Sequence, residues 1–251
     1  MKRFVNTILR RFGVEAHGIG YLEKISRSSF KNDAFQVQRK LFEEVVRSGR
    51  GAGTIVDVGA NRGGTALRYL EFDDRAAIHC FEPTPTHLET LRERFRESPR
   101  VYVHECGLGS RSCTMNMHIN RMQDTNSLLE STRIGATSDK SCETVGEIEI
   151  DIRTLDDECH RLGLDSIDLL KLDVQGYELE VLRGASGLLN DRKIQLIYTE
   201  TYFKPQYHNQ PLFWEVGSFL AGFGFSLVDF YDLYYNDRQV LWGDAIFCLT
   251  E

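Results

Sequence analysis

The sequence predicts an α/β fold, a largely parallel sheet covered by helices on both faces and closed at one edge by an antiparallel hairpin. Three observations predict it. Strand-like and helix-like patterns alternate from Thr54 to Glu105, the rhythm of strands joined by crossover helices. The runs TIVDV, AAIHCF and IDLLKL are almost continuously apolar, as strands buried on both faces must be. At 251 residues, with no long Pro/Ser/Gly-rich linker, the chain suits one domain with a substantial core.

The elements follow in order. Asp33 to Arg50 places Phe35, Leu41, Phe42, Val45 and Val46 among charges and stops at glycines, a helix with its ending signal. A strand begins at Thr54, a helix runs from Thr65 to Glu71 and a second strand from Ala76 to Phe81. Pro85 to Glu97 carries Leu88, Leu91 and Phe95 at helical spacing, and Val101 to Glu105 is a third strand closed by Gly107 and Gly109. The rhythm then breaks. CTMNMHIN and EIEIDIRTL alternate as half-exposed strands do, predicting an inserted strand pair with a mobile polar loop between. Asp156 to Leu162 reads as a helix, Ile167 to Leu172 as a strand, Tyr177 to Leu189 as a helix and Ile194 to Thr199 as a strand. A helix near Leu212 to Gly222 precedes Phe225 to Tyr231 and Ala245 to Leu249, whose short polar connection predicts the edge hairpin.

The chemistry starts in TIVDVGANRGG, Thr54 to Gly64, an apolar run that ends in an acid and breaks into small residues. A buried strand running through such a turn into a helix is a site for a nucleotide-type cofactor. In the dinucleotide fingerprint the second glycine admits a pyrophosphate; here Asn61 stands there, which argues against NAD. S-adenosylmethionine needs the same support and an acid for its ribose, but brings no pyrophosphate. Glu82 ends the next apolar run roughly 20 residues on, the spacing of a ribose-binding carboxylate. Asp57 inside the first strand either contacts the cofactor or is a buried carboxylate tying down the N–H groups of the loop.

The second signal is IDLLKLDVQGYELEVLRGA, in which a buried strand delivers Asp173 and turns through Gln175 and Gly176. Ligands of parallel sheets bind beyond the carboxyl ends of the strands, where Asp57, Glu82 and Asp173 emerge together. Asp173 also suits a helix N-cap. Lys171 fits either buried structure or a contact to the methionine carboxylate, and Glu178 is favoured by the dipole of its helix. A third cluster, YTETYFKPQYH, puts Glu200 at the end of its strand and Tyr202, Lys204, Tyr207 and His208 after it, an acceptor pocket or an ordinary loop with surface aromatics. His17, His79, His87, His104, His118 and His160 read as structural or surface residues.

Composition narrows the classes. A net charge of −7 argues against a general nucleic-acid binder, which needs a basic face. The six cysteines (Cys80, Cys106, Cys113, Cys142, Cys159, Cys248) form no CxxC pair and no metal-ligand spacing, so neither zinc nor disulfides are expected. The basic start MKRFVNTILRRFGVEA places Phe4, Ile8, Leu9 and Phe12 at helical spacing. It lacks the apolar core of a signal peptide, and no later run is long enough for a transmembrane segment. A cytoplasmic protein with a helical cap over residues 1–50 is expected, and its basic end also suits weak peripheral contact with an anionic membrane.

VDVGANRG at Val56 to Gly63, FEP at Phe81 to Pro83, NSL at Asn126 to Leu128, RTLDD at Arg153 to Asp157 and LLKLDVQGYELEVLRGA at Leu169 to Ala185 together resemble the FkbM family of class I S-adenosylmethionine-dependent methyltransferases. The resemblance covers roughly Ile55 to Leu249 and implies a Rossmann-like sheet of seven strands over residues 51–251. By motif position Gly59, Ala60 and Asn61, with Gly63, would line the cofactor, Glu82 would bind the ribose hydroxyls and Ser127 would lie beside the cofactor. Asp173 and Gln175 would face the transferred methyl group. Gln175 stands where the family more often has an acid, which removes one candidate base and weighs against metal assistance. The implied reaction is O-methylation of a small-molecule or glycan hydroxyl acceptor, chiefly on sugars. Asp173 is the expected base or orienting group, with Glu200 or His208 as rivals. An NAD(P)-linked oxidoreductase and a non-catalytic scaffold are the alternatives, and the sequence sets no oligomeric state.

Overall fold

The computed structural model describes residues 33–47, 52–132, 142–236 and 238–250. The amphipathic start, most of the proposed cap and the middle of the polar loop fall outside those residues. The main sheet takes β1 (Thr54–Val58), β2 (Ala77–Phe81), β3 (Val101–His104), β7 (Ile167–Leu172), β8 (Ile194–Tyr202), β9 (Phe225–Tyr235) and β10 (Val240–Leu249). Their order is β3-β2-β1-β7-β8-β10-β9. Neighbouring pairs from β3 to β8 are parallel, and β10 lies antiparallel between β8 and β9. The expected seven-stranded sheet and edge hairpin are therefore present.

Alternation along the central strands builds two cores. Val56, Val58, Leu170, Leu172 and Ile197 face one layer, which packs on α4 (Leu155–Leu162), α5 (Glu178–Arg183), α6 (Ser186–Asn190) and α7 (Phe213–Gly222). Ile55, Leu169 and Leu196 face the other, covered by Phe42 of α1 (Ala34–Arg47), Tyr69 of α2 (Gly64–Tyr69) and Leu91 of α3 (Pro85–Arg94). Helix α1 is fixed by a Tyr69 hydroxyl that donates to Gln38 Oε1 at 2.8 Å and by a 5.2 Å stack of Phe35 on Tyr69. No helix among the described residues is long and apolar enough to cross a membrane. None of the six cysteines forms a disulfide, and Cys80, Cys106, Cys142 and Cys159 are buried.

Four predicted elements need correction. The inserted pair is a three-stranded sheet, because β4 (Gly107–Leu108) adds parallel to β6 (Thr144–Arg153) beside the antiparallel β5 (Cys113–Asn120); two residues are too short to show a period. The helix expected over Tyr177 to Leu189 breaks at Gly184, which lies so close to Gly109 that a Cβ there would sit 2.0 Å from the Gly109 carbonyl oxygen. Strand β8 runs on to Tyr202, drawn out by its pairing with β10 from Cys248↔Leu196 to Trp242↔Tyr202. Glu200 and Tyr202 are thus strand residues. By the same pairing β9 and β10 are longer than their apolar runs.

On β2 and β3, His79 Nδ1 lies 3.1 Å from His104 Nε2, with the rings stacked. Burial, and for His79 the charge of His104, push both imidazoles down to about 4. Unfolded histidines titrate near 6.5. The folded value is the lower one, so this stability is fully present above about pH 6.5 and is lost as pH falls through about 4. In urea titrations His79→Gln is expected to flatten the decline in midpoint across that window; parallel curves for variant and wild type would contradict the assignment.

Candidate active site

A cleft of about 660 Å³, counting its open mouth, lies beyond the carboxyl ends of β1, β2 and β7. Its floor is the turn after β1. The Gly59 and Ala60 N–H groups donate to the Phe81 carbonyl at 3.0 and 3.1 Å, and the Asp173 N–H donates to the Val58 carbonyl at 3.1 Å. The turn is therefore stitched to the strands on both sides. Gly59 has φ 74°, and a Cβ there would sit 1.9 Å from the Asp173 carbonyl oxygen, so glycine is required by the neighbouring strand as much as by any ligand. Asn61 also sits in the left-handed region, at φ 50°, which asparagine tolerates.

Glu82 is the acid of the cleft wall. Its two oxygens accept from the Asn61 and Thr84 N–H groups, each at 2.8 Å, and His87 Nδ1 lies 3.5 Å away. Burial pushes the carboxyl up, but the hydrogen bonds from His87 and Thr84 outweigh it and hold Glu82 below its usual range. A carboxylate has about four lone-pair sites, so Oε2, which accepts from the Asn61 N–H, keeps acceptor capacity toward the cleft.

Behind the turn, fully buried Asp57 meets Lys171 Nζ at 2.9 Å. The same ammonium donates to the Gly59 carbonyl at 2.9 Å and stands 3.6 Å from Asp173. Burial alone would lower Lys171; Asp57 and Asp173 reverse that and hold it protonated. Lys171 thus fixes the turn from beneath, and neither it nor Asp57 lines the cleft.

The turn after β7 supplies a second wall of the cleft. Asp173 and Gln175 line the cleft, the Asp173 side chain being about half exposed. Gln175 sits at φ 54° and is held by the Ser127 hydroxyl, which donates to its carbonyl at 2.7 Å. Glu178 Oε1 accepts from the Val174 and Gly176 N–H groups, both at 3.1 Å, so Glu178 is a buried anchor of this turn, its carboxyl pushed up to about 7 by burial. Gln175 Nε2 donates to Asp173 Oδ1 at 3.1 Å and to Glu200 Oε2 at 2.9 Å. Burial, and next the charge of Asp173, raise Glu200 well above the usual carboxylate range. A carboxyl turned to Gln175 and Tyr202 instead of the cleft is poorly placed to act as a base.

The predicted site residues therefore divide. Gly59, Asn61, Glu82, Ser127, Asp173 and Gln175 come together around the cleft. Asp57, Ala60 and Gly63 stand behind it: Asp57 is paired with Lys171 and ties down no loop N–H group, Ala60 packs in the core, and a Cβ on Gly63 would meet the Phe95 ring at 2.5 Å. Glu200 reaches the cleft only through Gln175, and His208 is exposed, its N–H donating to the Glu130 carbonyl. Tyr202 and Tyr207 are buried hydrogen-bonding groups, 2 % and 1 % exposed, instead of pocket-wall aromatics, and Lys204 is exposed. His87 and Asn126 are cleft residues the sequence did not single out. A histidine in the first turn after FEP, and an asparagine beside the chosen serine, were the available signals.

The family model described as the methyltransferase FkbM domain matches residues 57–227. The chain is 30 % identical over 162 residues to the 2-O-methyltransferase NoeI of Sinorhizobium fredii, covering 62 % of this chain and 66 % of that protein. It is 29 % identical over 142 residues to Methyltransferase 1 of Beauveria bassiana, covering 52 % and 57 %. It thus spans less than two thirds of these relatives. Among solved structures it is similar to Aeropyrum pernix fibrillarin in complex with S-adenosyl-L-methionine, with TM-score 0.45, 16 % identity and coverage of 77 % and 66 %.

Proposed function

The chain belongs to the FkbM methyltransferase family, and from that premise we propose that it is an O-methyltransferase acting on a hydroxyl group, most plainly of a sugar in a glycan, glycolipid or glycosylated natural product. Methyl transfer with S-adenosylmethionine as cofactor replaces the oxidoreductase and scaffold alternatives. The residues of the cleft fit this cofactor. Asn61 Oδ1, His87 Nε2 and Asn126 Nδ2 are buried polar atoms without a hydrogen-bond partner, and all three residues line the cleft. Such atoms are costly unless a ligand satisfies them, and a zwitterionic nucleoside offers both donors and acceptors. Glu82 would hold the ribose hydroxyls, with Gly59, Asn61 and Ser127 around the rest.

The observation that carries O-methylation is the Asp173 carboxylate, partly exposed in the cleft wall while its acidic neighbour Glu178 is buried and Glu200 is half-buried and turned to Gln175 and Tyr202. S-adenosylmethionine supplies a methyl group already activated on a sulfonium. What remains for the protein is to align an acceptor oxygen and take its proton, and Asp173 does both while Gln175 holds its orientation. The segments 126–132 and 203–208 border the acceptor side. They are joined where Thr132 N–H donates to the Gln206 carbonyl and His208 N–H to the Glu130 carbonyl, both at 2.8 Å. The name of one relative, a 2-O-methyltransferase, agrees with a hydroxyl acceptor. Helix α1, the described part of the expected N-terminal cap, packs on the domain through Phe42, so close to Gly53 that a Cβ there would lie 2.3 Å from its ring.

The reading is tested with methyl-labelled S-adenosylmethionine and a panel of oligosaccharides: label is expected on a sugar oxygen, and label on nitrogen or carbon acceptors alone would contradict it. Glu82→Gln is expected to raise the dissociation constant of S-adenosylhomocysteine at least tenfold, because a hydrogen bond to a charged group contributes about 1.5–3 kcal/mol. Unchanged binding in calorimetry would remove Glu82 from the ribose site.

A further inference from the structure

We infer that Tyr207, a residue of the loop after β8, is a positioning residue that acts through Gln175 to orient the Asp173 carboxylate. The inference rests on the reading of Asp173 as the group that serves the acceptor. Tyr207 is 1 % exposed, and its hydroxyl lies 2.8 Å from Gln175 Oε1 and 3.3 Å from the Thr125 carbonyl. Both neighbours are acceptors and the phenol has one hydrogen, which it donates to the nearer of them, Gln175 Oε1. Burial holds that phenol far above its usual range, and it keeps its proton at any working pH.

The direction of the Gln175 amide follows from its neighbours. With Oε1 toward the phenol, Nε2 turns its two hydrogens to Asp173 Oδ1 and Glu200 Oε2. The reversed amide would set its oxygen against the Asp173 carboxylate. Tyr207 satisfies the amide atom that Asp173 cannot. Glu200 is fixed in turn by the Tyr202 hydroxyl, which donates to its Oε2 at 2.5 Å.

The backbone makes the arrangement rigid. Gln175 holds a left-handed φ of 54° and Gly176 one of 97°, a shape that needs support from outside the turn. The Tyr207 ring lies directly over Gly176, where a Cβ would meet Cδ2 at 3.1 Å. The Tyr207 and Gln206 N–H groups both donate to Gln210 Oε1, at 3.1 and 2.7 Å, so the loop carries its own brace. Phenol, amide and carboxylate thus form one chain from the loop to the cleft wall.

Two readouts test this, one of which needs no acceptor. In protein labelled with ¹⁵N-glutamine and saturated with S-adenosylhomocysteine, the Gln175 side-chain amide, assigned by its loss in Gln175→Ala, is expected to exchange its protons slowly. Tyr207→Phe should speed that exchange at least tenfold while the rest of the spectrum keeps its dispersion. In turnover with an oligosaccharide acceptor, Tyr207→Phe should lower kcat roughly tenfold to hundredfold, as small misplacements of a reacting group do, with KM for S-adenosylmethionine unchanged. Its effect should vanish in the Gln175→Ala background. An unaltered Gln175 amide in Tyr207→Phe, or additive losses in the double variant, would overturn the assignment. Full turnover by Asp173→Asn would instead overturn the reading of Asp173 on which it rests.

Discussion

Asp173→Asn is expected to cut turnover by about 10²–10⁴-fold, the usual contribution of a positioned acid or base, while S-adenosylhomocysteine still binds. The substitution is nearly isosteric. An asparagine oxygen can still accept from Gln175 Nε2, which now meets Asp173 Oδ1 at 3.1 Å, and the main-chain bond from residue 173 to the Val58 carbonyl is untouched. What is lost is the capacity to take a proton. Glu200 does not line the cleft and reaches it only through Gln175, and His208 is exposed, tied by its backbone to Glu130. Steady-state kinetics beside calorimetry separates the outcomes: wild-type kcat would remove Asp173 from the chemistry, and loss of S-adenosylhomocysteine binding would make it a cofactor ligand instead.

Lys171→Met is expected to be the most damaging substitution to stability, costing about 3–5 kcal/mol, as removal of one partner of a buried ion pair does. Asp57 is fully buried 2.9 Å from the ammonium, and among the described residues Lys171 is the cation that acts on it. The Gly59 carbonyl would lose its 2.9 Å donor as well, loosening the turn that forms the cleft floor. Replacing both charges, as Asp57→Asn with Lys171→Met, should recover a large part of the loss, since two neutral neighbours leave no stranded charge. Urea unfolding checks both. A single variant within about 1 kcal/mol of wild type would show that the pair contributes little, in the range of a surface ion pair.

What the sequence disclosed, and what it hid, divides along sequence distance. Glu82 was legible because an acid closing an apolar run has no solvent-facing reason to be there, and its spacing from the turn fits a ribose. Gly59 was legible for an incomplete reason: small residues suggest an approaching ligand, whereas the nearest obstacle is the carbonyl oxygen of Asp173. Asp57 and Lys171 were each conspicuous, yet their pairing depends on β1 lying beside β7 with Asp57 opposite Lys171, a register that no local pattern carries. Tyr207 and His87 were less legible still. Their roles depend on where a loop folds back and on which ring nitrogen meets Glu82. The helix break at Gly184 has the same origin, a close approach to Gly109. Alternation and helical spacing reveal the elements, and contacts between distant loops decide the site.

The proposed function requires that the cleft between Asn61, Glu82 and Asp173 hold S-adenosylmethionine and serve a hydroxyl acceptor at its Asp173 end. Titration calorimetry with S-adenosylhomocysteine and with NAD, on wild type, Glu82→Gln and Asp173→Asn, tests it most directly. S-adenosylhomocysteine is expected to bind wild type and Asp173→Asn, to bind Glu82→Gln at least tenfold more weakly, in line with the loss of a charged hydrogen bond, and NAD is expected to give no heat. Binding of NAD without binding of S-adenosylhomocysteine would contradict it.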